Sequence, residues 1–167
     1  MTALNVIFSH GQESGPWGTK IRAMAEMVRE LGHVADSIDY QGIKDPDERV
    51  EKLIAACKDI EGPILLVGSS MGGYVATAAA ETVGATGLFV LAPAFHMEDH
   101  GLKTPAAPAV PMSIVHGWHD DVVPVDNSIR YARDCSATLH LVDGDHRLTA
   151  NIDTINGLLA QFIGGLA

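Results

Sequence analysis

The sequence predicts a three-layer α/β/α fold built on a mainly parallel sheet of about six strands. Three observations predict it. Strand-like and helix-like segments alternate six times along the chain. Two of the strand segments, Ile64-Leu65-Leu66-Val67 and Leu88-Phe89-Val90-Leu91, are unbroken apolar runs, as expected of strands buried on both faces. The chain has 167 residues, of which 47% are apolar and 19% charged, enough for one domain with a real core.

The elements come in this order. Asn5 to Phe8 reads as a short buried strand, and Gly11 to Gly18 as a glycine-rich turn. From Trp17 onward, Ile21, Met24, Ala25, Val28 and Leu31 recur at helical spacing, and Gly32 marks the stop. A second strand is expected over about 34–40. Asp45 is placed to cap a helix, with Pro46 at its first position and Glu48 at its third. The apolar face of that helix is Val50, Leu53, Ile54 and Cys57. Strand three, 64–67, leads into a helix of small residues over 74–83, and strand four is 88–91. An irregular stretch, 96–111, comes next and is expected to form a small lid loop. Strand five is 112–115, a helix covers 125–135, and strand six is 138–142. Ile152, Ile155, Leu158, Leu159, Phe162 and Ile163 mark a final helix. No composition break divides the chain, so residues 1–167 are expected to form a single domain.

Composition excludes several function classes. Eleven Lys and Arg against 21 Asp and Glu leave a formal charge of −10, which argues against nucleic acid and anionic membranes as partners. Cys57 and Cys135 are too few for a disulfide framework and read as reduced thiols. The first residues lack a basic leader, and no apolar run is long enough to span a membrane. A cytoplasmic protein is the expectation.

The chemistry lies in the segments just after the strands. Parallel strands open their C-terminal ends on one edge of the sheet, where ligands bind. After strand one comes His10-Gly11-Gln12-Glu13-Ser14-Gly15, and after strand three Gly68-Ser69-Ser70-Met71-Gly72-Gly73. After strand five comes His116-Gly117-Trp118-His119-Asp120-Asp121, and after strand six Asp143-Gly144-Asp145-His146. A serine, a carboxylate and a histidine therefore converge on one edge. Gly68-Ser69-Ser70-Met71-Gly72 fits Gly-x-Ser-x-Gly, a strained strand-to-helix turn that pushes its central hydroxyl out of the sheet.

These four segments, in this order, resemble the α/β-hydrolase superfamily, and the resemblance covers nearly the whole chain. Ser-His-Gly-Gln is similar to the oxyanion loop, Gly-Ser-Ser-Met-Gly to the nucleophile elbow, His-Gly-Trp-His-Asp-Asp-Val-Val-Pro to the acid loop and Asp-Gly-Asp-His-Arg-Leu to the histidine loop. The chain is short for the family. The two N-terminal antiparallel strands and the cap domain of larger members find no counterpart, so the likeness is to small, cap-less serine esterases. The resemblance implies Ser70 as nucleophile, His146 as base and Asp120 as its orienting acid, with Gln12 and Met71 N–H groups as oxyanion donors.

Rivals stand beside each assignment. Ser69 neighbours Ser70, and Asp121, Asp143 and Asp145 compete with Asp120, although Asp143 and Asp145 also suit the shaping of the histidine turn. His10 and His116 read as structural residues beside their glycines, His33 and His140 as helix-end and strand residues, and His119 as a solvated loop residue. Trp17, Phe95 and Trp118 are candidate pocket walls. His96 and His100, four apart, together with His116, His119 and Asp120, raise a metal hydrolase as an alternative. His96 lacks the following Glu of H-E-x-x-H, and no third ligand can be identified, so no metal and no other cofactor is expected. A non-catalytic binding protein on the same fold is the other alternative. The expected substrate is a small ester or related acyl compound, because the 16-residue stretch 96–111 carries only Met97, Leu102 and Val110 as large apolar residues.

Overall fold

The computed structural model describes residues 2–166. Among these residues, six strands form one sheet: β1 (Asn5–Ser9), β2 (Val34–Ile38), β3 (Ile64–Ser69), β4 (Gly87–Leu91), β5 (Met112–Gly117) and β6 (Thr138–Val142). Five helices connect and flank them: α1 (Thr19–Glu30), α2 (Pro46–Cys57), α3 (Met71–Val83), α4 (Val125–Cys135) and α5 (Ile152–Gly165). The order across the sheet is β2-β1-β3-β4-β5-β6, and every pairing is parallel, so "mainly parallel" becomes entirely parallel.

The apolar strands serve two cores because side chains alternate across a pleated sheet. Ile7, Leu66, Leu88, Val90 and Ile114 face one side, under α2, α3 and Tyr131 of α4. Val6, Phe8, Leu65, Val67, Phe89, Leu91 and Val115 face the other, under Met24 and Val28 of α1 and Ile155 and Leu159 of α5. Full burial of one such side chain is worth roughly 1.5–3 kcal/mol.

Register sets the functional edge. Ser9 lies beside Gly68, Ser69 beside Leu91, and Gly117 beside Val142. The loops after β1, β3, β4, β5 and β6 therefore leave the sheet side by side.

Two local expectations shift and one holds. Helix α3 starts at Met71 rather than Tyr74, because Ser70 caps it from a left-handed backbone conformation and packing overrides the poor helix propensity of Gly72 and Gly73. Strand β2 stops at Ile38, and Tyr40 turns into the core with no exposed surface. In α2, Asp45 caps through the Asp47 N–H at 2.9 Å.

The stretch 96–111 is pinned rather than loose. Asn127 of α4 donates to the Phe95 carbonyl at 3.0 Å, the Tyr131 hydroxyl to the Pro105 carbonyl at 3.2 Å, and the Ala109 N–H to Glu81 Oε1 at 3.2 Å. Leu102 is buried in the core, with Met97 and Val110 packed against it.

Candidate active site

Ser70 sits at the turn between β3 and α3 with φ 56° and ψ −118°, a conformation few L-residues adopt. It persists because its surroundings determine it. The Ser70 N–H donates to the Leu91 carbonyl at 2.9 Å, and the Ser70 carbonyl accepts from Ala94 N–H at 3.0 Å. The flanking glycines let three backbones close in. A Cβ on Gly68 would overlap the Gly72 carbonyl, and one on Gly72 would overlap the Ser9 carbonyl. Any side chain at either position would push the elbow apart.

His146 reaches this serine from the loop after β6, 76 positions along the chain, with Nε2 3.1 Å from Ser70 Oγ. Its Nδ1–H donates to Asp120 Oδ2 at 2.7 Å. Nε2 is thereby left as the acceptor for the serine proton. The two loops meet because Gly117 has no side chain; a Cβ there would overlap the Gly144 carbonyl. Trp118 N–H to the Val142 carbonyl at 2.9 Å and His119 N–H to the Gly144 carbonyl at 3.0 Å join them further.

Asp120 accepts four hydrogen bonds. Oδ1 takes Val122 and Val123 N–H, both at 2.8 Å; Oδ2 takes His146 Nδ1 and a share of the His116 Nε2–H, which lies 3.0 Å from Oδ2 and 3.0 Å from the Val123 carbonyl. Burial alone would raise its pKa. The bonds from His116, His146, Val123 and Val122 outweigh burial and hold the carboxyl well below the usual range. It stays ionised opposite the imidazole.

The other carboxylates lie elsewhere. Asp143 is exposed and pairs with the exposed His119 at 3.0 Å, a solvated contact of little energetic weight. Asp145 Oδ1 accepts Arg147 and Leu148 N–H and shapes the histidine turn. Asp121 is exposed, and Ser69 is half-buried on β3. His33 accepts the Leu4 N–H at 3.1 Å, and His140 is half-buried on β6.

Gln12 lies on the loop beside the elbow. The Gly11 side facing Ser70 leaves 3.5 Å between an added Cβ and Ser70 Cβ. Among the described residues, neither the Gln12 nor the Met71 N–H is taken up by a backbone carbonyl. Two N–H groups on the loops that follow β1 and β3 are therefore without a backbone acceptor.

The three pocket candidates part ways. Phe95 is corrected to a core residue: it has no exposed surface and stacks on Tyr131 at 4.0 Å between ring centroids. Trp17 packs against the Arg29 guanidinium at the far end of α1, which directs the indole along the helix. Trp118 is half exposed, with Val122 exposed on the same loop. A depression of about 280 Å³ lined by Met112, Thr138 and Phe162 lies at the opposite edge of the sheet. His96 bonds Thr104 and lies 3.7 Å from Glu98, while His100 is exposed on a short 3₁₀ turn. Among the described residues, no three His, Cys, Asp or Glu side chains gather as a metal site.

Three participants were not assigned to the site from sequence. His116 reads in the sequence as a structural neighbour of Gly117, yet its Nε2–H is shared between Asp120 Oδ2 and the Val123 carbonyl, 3.0 Å from each, and its Nδ1 accepts from the Ser128 hydroxyl at 2.6 Å. Lys20 of α1 donates to the Arg147 carbonyl at 3.0 Å. Burial pulls its ammonium down to about 8 against the opposing pull of Asp145 and Asp120. Arg49 is buried beneath the loop after β1 and donates to its Gly11 and Gln12 carbonyls. A charged residue in register with Leu53 and Cys57 on the buried stripe was the available signal.

Known proteins share this arrangement of elements. The uncharacterised protein family UPF0227 matches residues 5–104. A solved structure of a proposed hydrolase of the alpha/beta superfamily from Xanthomonas campestris pv. campestris is 32% identical, with a TM-score of 0.90 over 98% of this chain and 99% of that one. Mouse alpha/beta hydrolase domain-containing protein 10 shares the fold at 22% identity, with a TM-score of 0.82 over 98% of this chain and 90% of that one. The mitochondrial palmitoyl-protein thioesterase ABHD10 of Bos taurus is 35% identical over 80 residues, 42% of this chain. The match spans 26% of the length of that relative. Among the described residues, no helix is long and apolar enough to cross a membrane.

Proposed function

The chain belongs to the family UPF0227 and to the α/β-hydrolase superfamily, and from that premise we propose a serine hydrolase that cleaves a small ester or thioester through an acyl-enzyme. The observation that carries this reading is the hydrogen-bonded series Ser70–His146–Asp120. A bare serine hydroxyl is a weak nucleophile at neutral pH and needs a base within reach.

The chemistry grows out of the contacts. Ser70 Oγ adds to the acyl carbon as its proton passes to His146 Nε2. The carbonyl π pair moves onto oxygen, where the Gln12 and Met71 N–H groups receive it. Each such donor is worth roughly 3 kcal/mol in the transition state. Collapse of the intermediate breaks the bond to the leaving group, which takes the proton from His146. Water then repeats the sequence: His146 accepts its proton, hydroxyl adds to the acyl carbon, and Ser70 leaves with the proton returned. Asp120 keeps the imidazole in its productive tautomer and stabilises the imidazolium between steps.

The site supports a short acyl group. Trp118 and Val122 are the exposed large apolar residues on the loop that carries Asp120. Met97, Leu102 and Val110, the apolar residues of the 96–111 stretch, are spent on the core. A long chain needs continuous apolar cover at ~0.8 kcal/mol per methylene. A rim of two side chains covers only a few. The relatives named palmitoyl-protein thioesterase support thioesters as a bond type; the long acyl group in that name is the competing reading, which the acyl-length series below separates.

Intact mass after treatment with a fluorophosphonate tests the nucleophile. One adduct on the wild-type chain, absent from Ser70→Ala, is expected; no adduct, or one that survives in Ser70→Ala, refutes the reading. Turnover of p-nitrophenyl esters and acyl thioesters from two to sixteen carbons tests the acyl preference. An optimum at about four carbons or fewer is expected, and a steady rise to sixteen refutes the short-acyl assignment.

A further inference from the structure

We propose that Arg49 and His10 are positioning residues that preset one oxyanion donor, by fixing the carbonyl of the peptide whose N–H belongs to Gln12. This inference rests on the serine-hydrolase reading above.

The Gly11 carbonyl and the Gln12 N–H are two ends of one planar peptide unit and point in opposite directions. Three donors hold the carbonyl end. His10 Nδ1 lies 2.7 Å from the Gly11 oxygen, Arg49 Nη1 3.2 Å and Ser14 Oγ 3.4 Å. The His10 tautomer is set from its other side: the Tyr40 N–H donates to Nε2 at 2.8 Å, so Nδ1 carries the hydrogen and donates to Gly11. With its carbonyl held on that side, the peptide aims the Gln12 N–H away from Arg49, and no backbone carbonyl among the described residues takes it up.

Arg49 is built for this task and poorly suited to plain packing. It is 2% exposed, on the same stripe of α2 as Leu53 and Cys57. Among the described residues, no carboxylate pairs with it. It donates instead to three carbonyls: Nε to Ile43 at 2.7 Å, Nη1 to Gly11 and Nη2 to Gln12 at 3.4 Å. Its guanidinium also lies over the Tyr40 ring, 5.4 Å from the centroid. A buried cation without a counter-ion is costly, and an apolar side chain would pack at lower cost. What the cation adds is a fixed fork that clamps two consecutive carbonyls of the loop. A positive charge beside the Gly11 oxygen also polarises the amide, which strengthens Gln12 N–H as a donor to developing negative charge.

The test separates transition-state from ground-state binding. A trifluoromethyl ketone adds Ser70 Oγ to its carbonyl carbon and places an oxyanion among the donors. The methyl ketone of the same chain length binds without that adduct. In Arg49→Lys, affinity for the trifluoromethyl ketone and kcat should each fall about 10- to 100-fold, with KM and methyl-ketone affinity within about twofold. His10→Asn should move the same ratio in the same direction and serves if Arg49→Lys fails to fold. Leu53→Ala, on the same helix, should lower Tm and leave the ratio of the two ketone affinities unchanged. An unchanged ratio in a folded Arg49→Lys or His10→Asn variant, with wild-type Ser70 labelled by fluorophosphonate, overturns this proposal alone. An unlabelled, inactive wild-type chain overturns the hydrolase reading, and the proposal with it.

Discussion

Asp120→Asn is the most demanding test of the site, because the geometry leaves an amide no good orientation. All four partners of the carboxylate are donors: Val122 and Val123 N–H on Oδ1, His146 and His116 on Oδ2. An asparagine supplies one acceptor oxygen and one NH₂. With NH₂ toward the histidines, it faces the His116 hydrogen and donates to His146 Nδ1. That reverses the tautomer and puts a hydrogen on Nε2, where the serine proton must go. With NH₂ toward the backbone, the Val122 and Val123 N–H groups lose their acceptor. Either way about two charge-assisted hydrogen bonds are lost, at about 1.5–3 kcal/mol each. For a chain of this length, that lowers Tm by about 10 °C. The tautomer reversal should cost on the order of 10⁴ in kcat. The pH dependence has a definite sign. A carboxyl held below its unfolded pKa contributes stability above about pH 4 and loses it as pH falls through the folded value. Wild-type Tm should therefore drop steeply below about pH 4, and Asp120→Asn should drop less. Single-turnover kinetics on a p-nitrophenyl ester and calorimetry from about pH 2.5 to 8 measure both. A folded variant within tenfold of wild-type kcat, or one with the same acid slope, refutes the argument.

Gly72→Ala should yield little folded protein, because its Cβ would overlap the Ser9 carbonyl, one backbone against another; a soluble variant with wild-type Tm contradicts the elbow packing. Gly157→Ala in α5 meets nothing within 4 Å and should raise Tm by about 2–4 °C through helix propensity, read by the same calorimetry. His116→Phe removes one donor to Asp120 and strands the Ser128 hydroxyl. It should cost about 1–3 kcal/mol by urea titration and, by letting the Asp120 pKa rise toward its unfolded value, shrink the stability lost below about pH 4; an unchanged acid loss means His116 does not hold the carboxylate down. Ser70→Ala should keep the wild-type Tm within a few degrees and lose on the order of 10⁴–10⁶ in kcat, whereas Ser69→Ala should stay near wild type.

Much of the frame was legible because it rests on local patterns. Apolar runs marked β3 and β4, helical spacing marked α1 and α5, and the Asp45-Pro46 start marked α2. That a serine, a carboxylate and a histidine gather on one edge was legible because parallel strands open there; the choice of Ser70, Asp120 and His146 among their neighbours came from the resemblance to the α/β-hydrolase motifs. What escaped depends on contacts between distant segments. Helix α3 begins three residues earlier than propensity suggests, because Gly72 is dictated by the Ser9 backbone and not by the helix. Phe95 sits beside the edge in sequence, but α4 offers Tyr131 as a stacking partner and draws it inward. His116 carries no mark in the sequence of which carboxylate it will meet.

The polar residues on the buried helix faces share a pattern that bears on how such a small domain holds a catalytic geometry. The site consists of loops, which are ordinarily the least rigid parts of a fold. Each loop is tied to a side chain that does not approach the serine. Arg49 of α2 holds the loop after β1, Lys20 of α1 the loop after β6, and Ser128 of α4, through His116, the loop after β5. The loop after β3 needs no such tie, because α3 itself begins at Ser70. Polar groups on buried helix faces are a liability unless satisfied, and an apolar residue would contribute more to the core. Their partners here are backbone carbonyls and a histidine of the loops around Ser70, so the stability forgone in the core is converted into fixed positions of Ser70, Asp120 and His146. Preorganised dipoles act in the transition state only if they need not move when charge develops. Where short loops alone frame the serine, that rigidity has to come from the helices beneath them.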